Sequence, residues 1–312
     1  FGNFTLCSHG KDDMCSDEYF ANVSLSELES AINSGKANLN TATENGWTPL
    51  MYALDASQDT SVINFLIEKS GHSNVNSKSG YGPIHIAASK HGVPIFQKLV
   101  ENGADANSEV NSQSIMHYAS KSNSKSFVSF LINEGFDVNK KNEQGWAPLS
   151  FAARYNTADV IKLLVAEGAD KDNSALNDWS LFLLVALGSP YRDATEEVAA
   201  IKEVLELGLK VNSKTKEKRN AIHIAARTNK EDPEPVIEFL ITLGISADEA
   251  DDSGNTPLHD AATGRNIKSL GVLLDEGVDP NVTNADRNTP LHLAVWQDEQ
   301  DVSKLVGLLL ES

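Results

Sequence analysis

The chain has 312 residues, 40% of them hydrophobic and 22% charged, a composition that folds rather than staying disordered. Its 26 basic and 44 acidic residues give a net charge of −18, which repels phosphate backbones and anionic lipid and argues against nucleic acid or a membrane surface as partner. The longest apolar run, residues 181–187, falls far short of the roughly 20 residues that a membrane span needs, so membrane insertion is not expected.

Residues 1–23 form an N-terminal segment that carries both cysteines, Cys7 and Cys15. These are either two free thiols or one short-loop disulfide in an exported protein. His9 alone does not complete a zinc site with them. No signal peptide is visible and the chain opens on Phe1 rather than Met, which leaves cytoplasmic and exported locations both open. Residues 24–40 read as a lone helix ended by Gly35, an N-terminal cap for the rest of the chain.

From residue 48 a motif recurs to the end. Thr256-Pro257-Leu258-His259 returns as Thr289-Pro290-Leu291-His292, with weaker copies starting at Thr48, Gly82, Ser114, Ala147, Ser180 and Asn220. Successive starts, at 48, 82, 114, 147, 180, 220, 256 and 289, lie 34, 32, 33, 33, 40, 36 and 33 residues apart. Small pairs follow five residues on, as in Ala87-Ala88, Ala152-Ala153 and Ala261-Ala262. A glycine closes each of the first seven copies: Gly71, Gly103, Gly135, Gly168, Gly208, Gly244 and Gly277.

Each feature has a physical reason. Threonine or serine at the start caps a helix, and proline suits its first position because the missing N–H would be unpaired there anyway. Alanine pairs let neighbouring helices press closely. A second apolar helix follows, for example residues 160–165, and glycine ends it in a left-handed conformation. Each unit is therefore helix, turn, helix and polar hairpin, and it cannot bury its apolar face without a neighbour.

The 33-residue period and the T-P-L-H-x-A pattern resemble the ankyrin-repeat family over residues 24–312. The resemblance implies an all-α repeat solenoid of about eight repeats, stacked as a right-handed, curved array. It also implies that first helices and hairpin tips line a concave face that binds partners.

The array has irregularities. Glycine stands two residues before the start at Gly46, Gly80, Gly145 and Gly254, but Ser112, Asp178, Lys218 and Arg287 take its place elsewhere, where a positive φ costs more. Residues 188–193 and 229–235 are insertions between paired helices, either tolerated loops or an edge-type contact site. Leucines near the C-terminus fall on more than one side of the last helix, so the natural chain is expected to continue, or this end to associate; otherwise a monomer is expected.

The residue before each start should sit on a hairpin tip. There stand Trp47, Tyr81, Trp146, Trp179 and Arg219. The resemblance places Arg154, Tyr155, Leu187, Arg227 and Trp296 on the concave face. Aromatic residues and arginine dominate interface hot spots, so these ten are the candidate partner-binding residues. The alternative is that each ring lies flat on the next hairpin and only stiffens it. The run Lys210, Lys214, Lys216, Lys218, Arg219 reads as a solvated loop tip, and the pair Asp251-Asp252 as solvated turn residues. His85, His117, His223, His259 and His292 recur one per repeat, and the resemblance makes them structural.

No phosphate loop, nucleophile elbow, zinc-protease or dinucleotide motif occurs. No catalytic residue, cofactor or metal is therefore expected, and the chain reads as a protein-interaction module rather than an enzyme. The alternative is the recognition arm of a larger bacterial effector or enzyme whose catalytic part lies elsewhere.

Overall fold

The computed structural model describes residues 5–7, 14–172, 179–228, 230–295 and 303–311. Among them eighteen α-helices follow one another as nine consecutive pairs, one more than the recurring motif counts. The chain divides into two compact units, Phe1–Glu143 and Gln144–Ser312.

In the first unit the pairs are α1 (Asp17–Asn22) with α2 (Leu25–Asn33), α3 (Pro49–Ala56) with α4 (Thr60–Ser70), α5 (Pro83–Lys90) with α6 (Val93–Glu101), and α7 (Ile115–Ser122) with α8 (Lys125–Asn133). First helices stack on first helices, α1 on α3 on α5 on α7, and second helices α2, α4 and α6 stack likewise. Helix α2 is thus not a lone cap and is shorter than residues 24–40. Its partner α1 lacks the Pro-Leu-His signature, but Ser16 accepts from the Tyr19 N–H and caps it as threonine does elsewhere.

Strands β1 (Thr5–Leu6) and β2 (Thr41–Ala42) pair in parallel and tie the N-terminal segment to the hairpin before α3. Cys7 and Cys15 are joined in a disulfide, with Cα atoms 6.2 Å apart, inside the span that a disulfide bridges.

In the second unit the pairs are α9 (Pro148–Tyr155) with α10 (Ala158–Ala166), α11 (Leu181–Ala186) with α12 (Ala194–Glu206), α13 (Ala221–Arg227) with α14 (Glu234–Thr242), α15 (Pro257–Thr263) with α16 (Ile267–Asp275), and α17 (Pro290–Val295) with α18 (Ser303–Glu311). First and second helices again stack in separate rows. Leu181, Phe182, Leu183, Leu184, Val185 and Ala186 are all buried, so the longest apolar run is a core helix of this row. On α18, Leu305 and Leu309 are buried while Leu310 is 69% exposed.

The hairpins between pairs close by paired backbone bonds, such as Ser77 N–H to Tyr81 O at 2.7 Å and Asp251 N–H to Asn255 O at 2.8 Å. Adjacent hairpins bond to each other: the Asp252 N–H donates to Glu217 O at 3.0 Å and the Ala285 N–H to Ser253 O at 2.9 Å. Gly254 shows why glycine is preferred in this turn: φ is +76° and a Cβ would stand 2.9 Å from the Ala285 nitrogen. Ser112, Lys218 and Arg287 do adopt the left-handed region, at 59°, 64° and 64°, as the pattern required. Asp178 lies outside the described residues.

Two of the recurring histidines, His223 and His259, both cap and bridge. In α15 the Thr256 N–H donates to Nδ1 of His259 at 3.1 Å, and Nε2 of His259 reaches Asn288 O in the next hairpin at 3.0 Å. His223 repeats this with Asn220 and Asn255 O, at 3.3 and 3.0 Å. With Nδ1 accepting and Nε2 donating, the ring must be neutral, and burial pushes the pKa of both histidines down accordingly.

Candidate functional site

Hairpin closure sets the residue before each start beside the first helix, and the helix turn brings the residue four past the start to the same side. In the first unit this gathers Trp47 and Tyr52, with ring centroids 5.2 Å apart, Trp47 and Tyr81 at 6.2 Å, and Tyr81 and Tyr118 at 5.6 Å. All four rings are half-buried. They form one ladder rather than separate tips. Burial and the neighbouring Tyr81 push the Tyr118 phenol up to about 12.

In the second unit Trp146 meets Phe151 at 5.3 Å, and Phe151 meets Tyr155 at 6.5 Å. The Arg154 guanidinium lies over the Tyr155 ring at 4.9 Å and donates to Gly188 O. Trp179, Leu187, Arg219 and Arg227 converge: with His223 and Ile224 they line one cavity of ≈ 240 Å³. A larger cavity of ≈ 670 Å³ adjoins it at Leu187 and Thr228 and runs along Arg154, Arg192 and Lys230. Trp296 lies outside the described residues.

The insertion at 188–193 is built, not loose. Arg192 Nη1 donates to Glu197 at 2.9 Å, and their side chains are 2% and 1% exposed. Glu197 also accepts from the Ser189 N–H and from Lys230, which comes from the second insertion. Asn229 of that insertion lies outside the described residues.

The basic run is exposed at Lys210, Lys216 and Lys218, as a solvated loop tip would be, but three of its members are paired. Lys214 pairs with Glu249, Lys218 with Asp252 at 2.7 Å, and Arg219 Nε donates to Asp251 at 3.0 Å. Each of these three meets a carboxylate of the following hairpin, a partner that the run of charges does not reveal by itself. Asp251 is likewise buried rather than solvated, and it accepts from the Ser253 and Asn255 N–H groups as well. Those hydrogen bonds outweigh the desolvation that opposes them, and hold its carboxyl below the usual range.

Asp260, four past its start, is also buried, between Arg219 at 3.6 Å and Arg227 at 3.8 Å. Its Oδ2 has no hydrogen-bond partner among the described residues. Desolvation outweighs both arginines and pushes its carboxyl up to about 6. Tyr52, Tyr118, Phe151 and Asp260 went unseen in the sequence although they share one register, the fourth residue after each start. Among the described residues no group of three His, Cys, Asp or Glu could hold a metal ion, and no helix is long and apolar enough to cross a membrane.

Stacked helix pairs joined by bonded hairpins define a helical-repeat protein. A sequence model described as "Ankyrin repeats (3 copies)" matches residues 21–110, 84–175 and 194–284, and the chain belongs to the ankyrin-repeat family. It is 26% identical over 292 residues to the E3 ubiquitin-protein ligase KEG of Arabidopsis thaliana, covering 91% of this chain and 16% of that protein. It is 27% identical over 207 residues to the human transient receptor potential cation channel subfamily A member 1, covering 64% of this chain and 17% of the channel. The chain therefore spans about a sixth of the length of these relatives. The crystal structure of the human ASB11 ankyrin repeat domain shares the fold, with TM-score 0.58 and 22% identity over 74% of this chain and 97% of that one.

Proposed function

We propose that this chain is a protein-interaction module that holds its partner on the side formed by first helices and hairpin tips. One observation carries the reading: Trp179 and Arg219, expected at hairpin tips, and Leu187 and Arg227, which the family resemblance puts on the concave face, line a single cavity. A partner side chain seated there would be largely desolvated, which is the setting of interface hot spots. In the first unit, Trp47, Tyr81 and their tyrosine neighbours offer rigid apolar area that needs little further ordering. No residue here takes a catalytic role.

The matched relatives favour a second layer to the same reading. Each is several times longer than this chain, which matches 16% and 17% of their lengths. The present chain then acts as the recognition arm of a larger protein. The Cys7–Cys15 disulfide supports an oxidising compartment.

The test is capture of partners from lysate of the source organism by wild type and by the Trp146→Ala/Trp179→Ala variant. The expected result is a partner held by wild type and lost from the variant, with unchanged helical circular dichroism. Equal capture by both would reject this side of the molecule.

A further inference from the structure

The two cations that line the ≈ 240 Å³ cavity are not equivalent. Arg219 donates from Nε to Asp251 at 3.0 Å. The Arg227 side chain makes no hydrogen bond among the described residues. The carboxylate nearest it, Asp260 Oδ1, stands 3.8 Å from Nη1, beyond hydrogen-bond reach, and the Arg227 side chain is 50% exposed. Its fork of donors is thus available at a cavity that Trp179, Leu187 and Ile224 also line. The cavity exceeds the volume of about 150 Å³ that admits a benzene ring, so one large apolar side chain fits.

Resting on the interaction function proposed for this side, we propose that this cavity recognises a partner segment presenting one bulky apolar side chain with an aspartate or glutamate beside it, the ring or branched chain entering between Trp179 and Leu187 and the carboxylate pairing with Arg227. A planar carboxylate matches the guanidinium fork in two parallel bonds, a geometry that neither an amide nor a hydroxyl reproduces. The −18 charge of the chain does not exclude such a segment, because repulsion from exposed charges more than about 10 Å away is largely screened at ordinary ionic strength. Glu217 lines the same cavity and repels a carboxylate placed beside it, so the preference is a local one, tied to Arg227.

The experiment selects capped, randomised dodecapeptides on beads with the full chain, then measures the affinity of the selected peptides as free probes. Selected peptides are expected to carry Phe, Leu or Trp within three residues of Asp or Glu. Changing that acid to its amide should weaken binding about tenfold, the effect of losing a hydrogen-bonded charge at a part-exposed site. Arg227→Gln should erase the difference between acid and amide, while Leu187→Glu should abolish binding of both; circular dichroism confirms that each variant is folded. Peptides that are lost with Leu187→Glu but show no acidic preference would overturn the inference and leave the interaction reading intact. Selection of no peptide, or of peptides indifferent to Leu187→Glu, would overturn it too. The interaction reading is judged separately, by the lysate capture.

Discussion

Asp260 Oδ1 lies 3.6 Å from Arg219 Nη2, a buried carboxylate beside a guanidinium and still too far for a hydrogen bond. Asp260 Oδ2 has no hydrogen-bond partner among the described residues. A charge-charge attraction without hydrogen bonds does not offset the loss of water, which is why the carboxyl is raised from 3.8 to about 6.

The raised carboxyl makes stability fall as pH rises. Between about pH 4 and 6 the folded chain keeps a proton on Asp260 that the unfolded chain has released. Ionisation then costs on the order of 2–3 kcal/mol above pH 6. Asp260→Asn removes that cost but keeps the shape. Its stability relative to wild type should therefore improve by about that amount from pH 4 to pH 7, read from urea denaturation midpoints at the two pH values. A constant difference across this range would show that Asp260 does not titrate there.

The buried histidines act in the opposite direction. His85, His223 and His259 have pKa values lowered by burial, so below about pH 6.5 the unfolded chain takes up protons that the folded chain refuses. Their stabilisation is present above that pH and is lost as pH falls. His259→Ala also strips the cap of α15 and the bridge to Asn288 O. It should cost roughly 2–3 kcal/mol at pH 7.5 and measurably less at pH 5, where wild type has already lost part of the same contribution. An equal cost at both pH values would mean that folding does not lower the pKa of this ring.

How much of this was legible in the sequence depended on whether a role had a fixed residue type. The helix starts were legible because a cap, a proline at the first position and a histidine bridge each demand particular chemistry. Helix α1 was missed because it keeps only part of that code: Ser16 stands 32 residues before Thr48 and Ala21 holds the small-residue position, but no proline or histidine marks it. Trp179 and Arg219 were expected at hairpin tips from the motif spacing, and Leu187 and Arg227 on the concave face from the family resemblance, while their sharing one cavity needed the side-chain packing. The ion pairs of Lys214, Lys218 and Arg219 cross from one hairpin to the next, a neighbourhood that separation of about 32 to 35 residues hides from any local reading.

The insertion at 188–193 should be a cooperative part of the second unit. Glu197 neutralises Arg192, accepts from the Ser189 N–H and holds Lys230. Glu197→Ala leaves the Arg192 guanidinium buried and unpaired, which costs about 3–5 kcal/mol. Native-state hydrogen exchange should show the amides of α11 and α12 losing protection together. A loss below about 1 kcal/mol would mark the segment as a loop whose conformation the core does not need.

The aromatic ladder of the first unit offers the sharpest test of whether tip residues stiffen the array or bind. Tyr81 touches Trp47, His85 and Tyr118, at 6.2, 5.4 and 5.6 Å between ring centroids. Each such ring pair contributes about 0.5–1.5 kcal/mol beyond burial, so Tyr81→Ala should destabilise the unit by roughly 2–3 kcal/mol, whereas Tyr81→Phe should cost under about 1 kcal/mol. Trp47 emission should shift to the red in the alanine variant as water replaces the ring. If Tyr81→Ala instead leaves the denaturation midpoint and the emission unchanged while weakening partner capture, the ladder serves binding alone. If both change, the same rings hold the hairpins in place and present a preordered apolar surface. A partner could then dock there without the entropy cost of ordering each side chain, which is about 0.5–1.5 kcal/mol apiece.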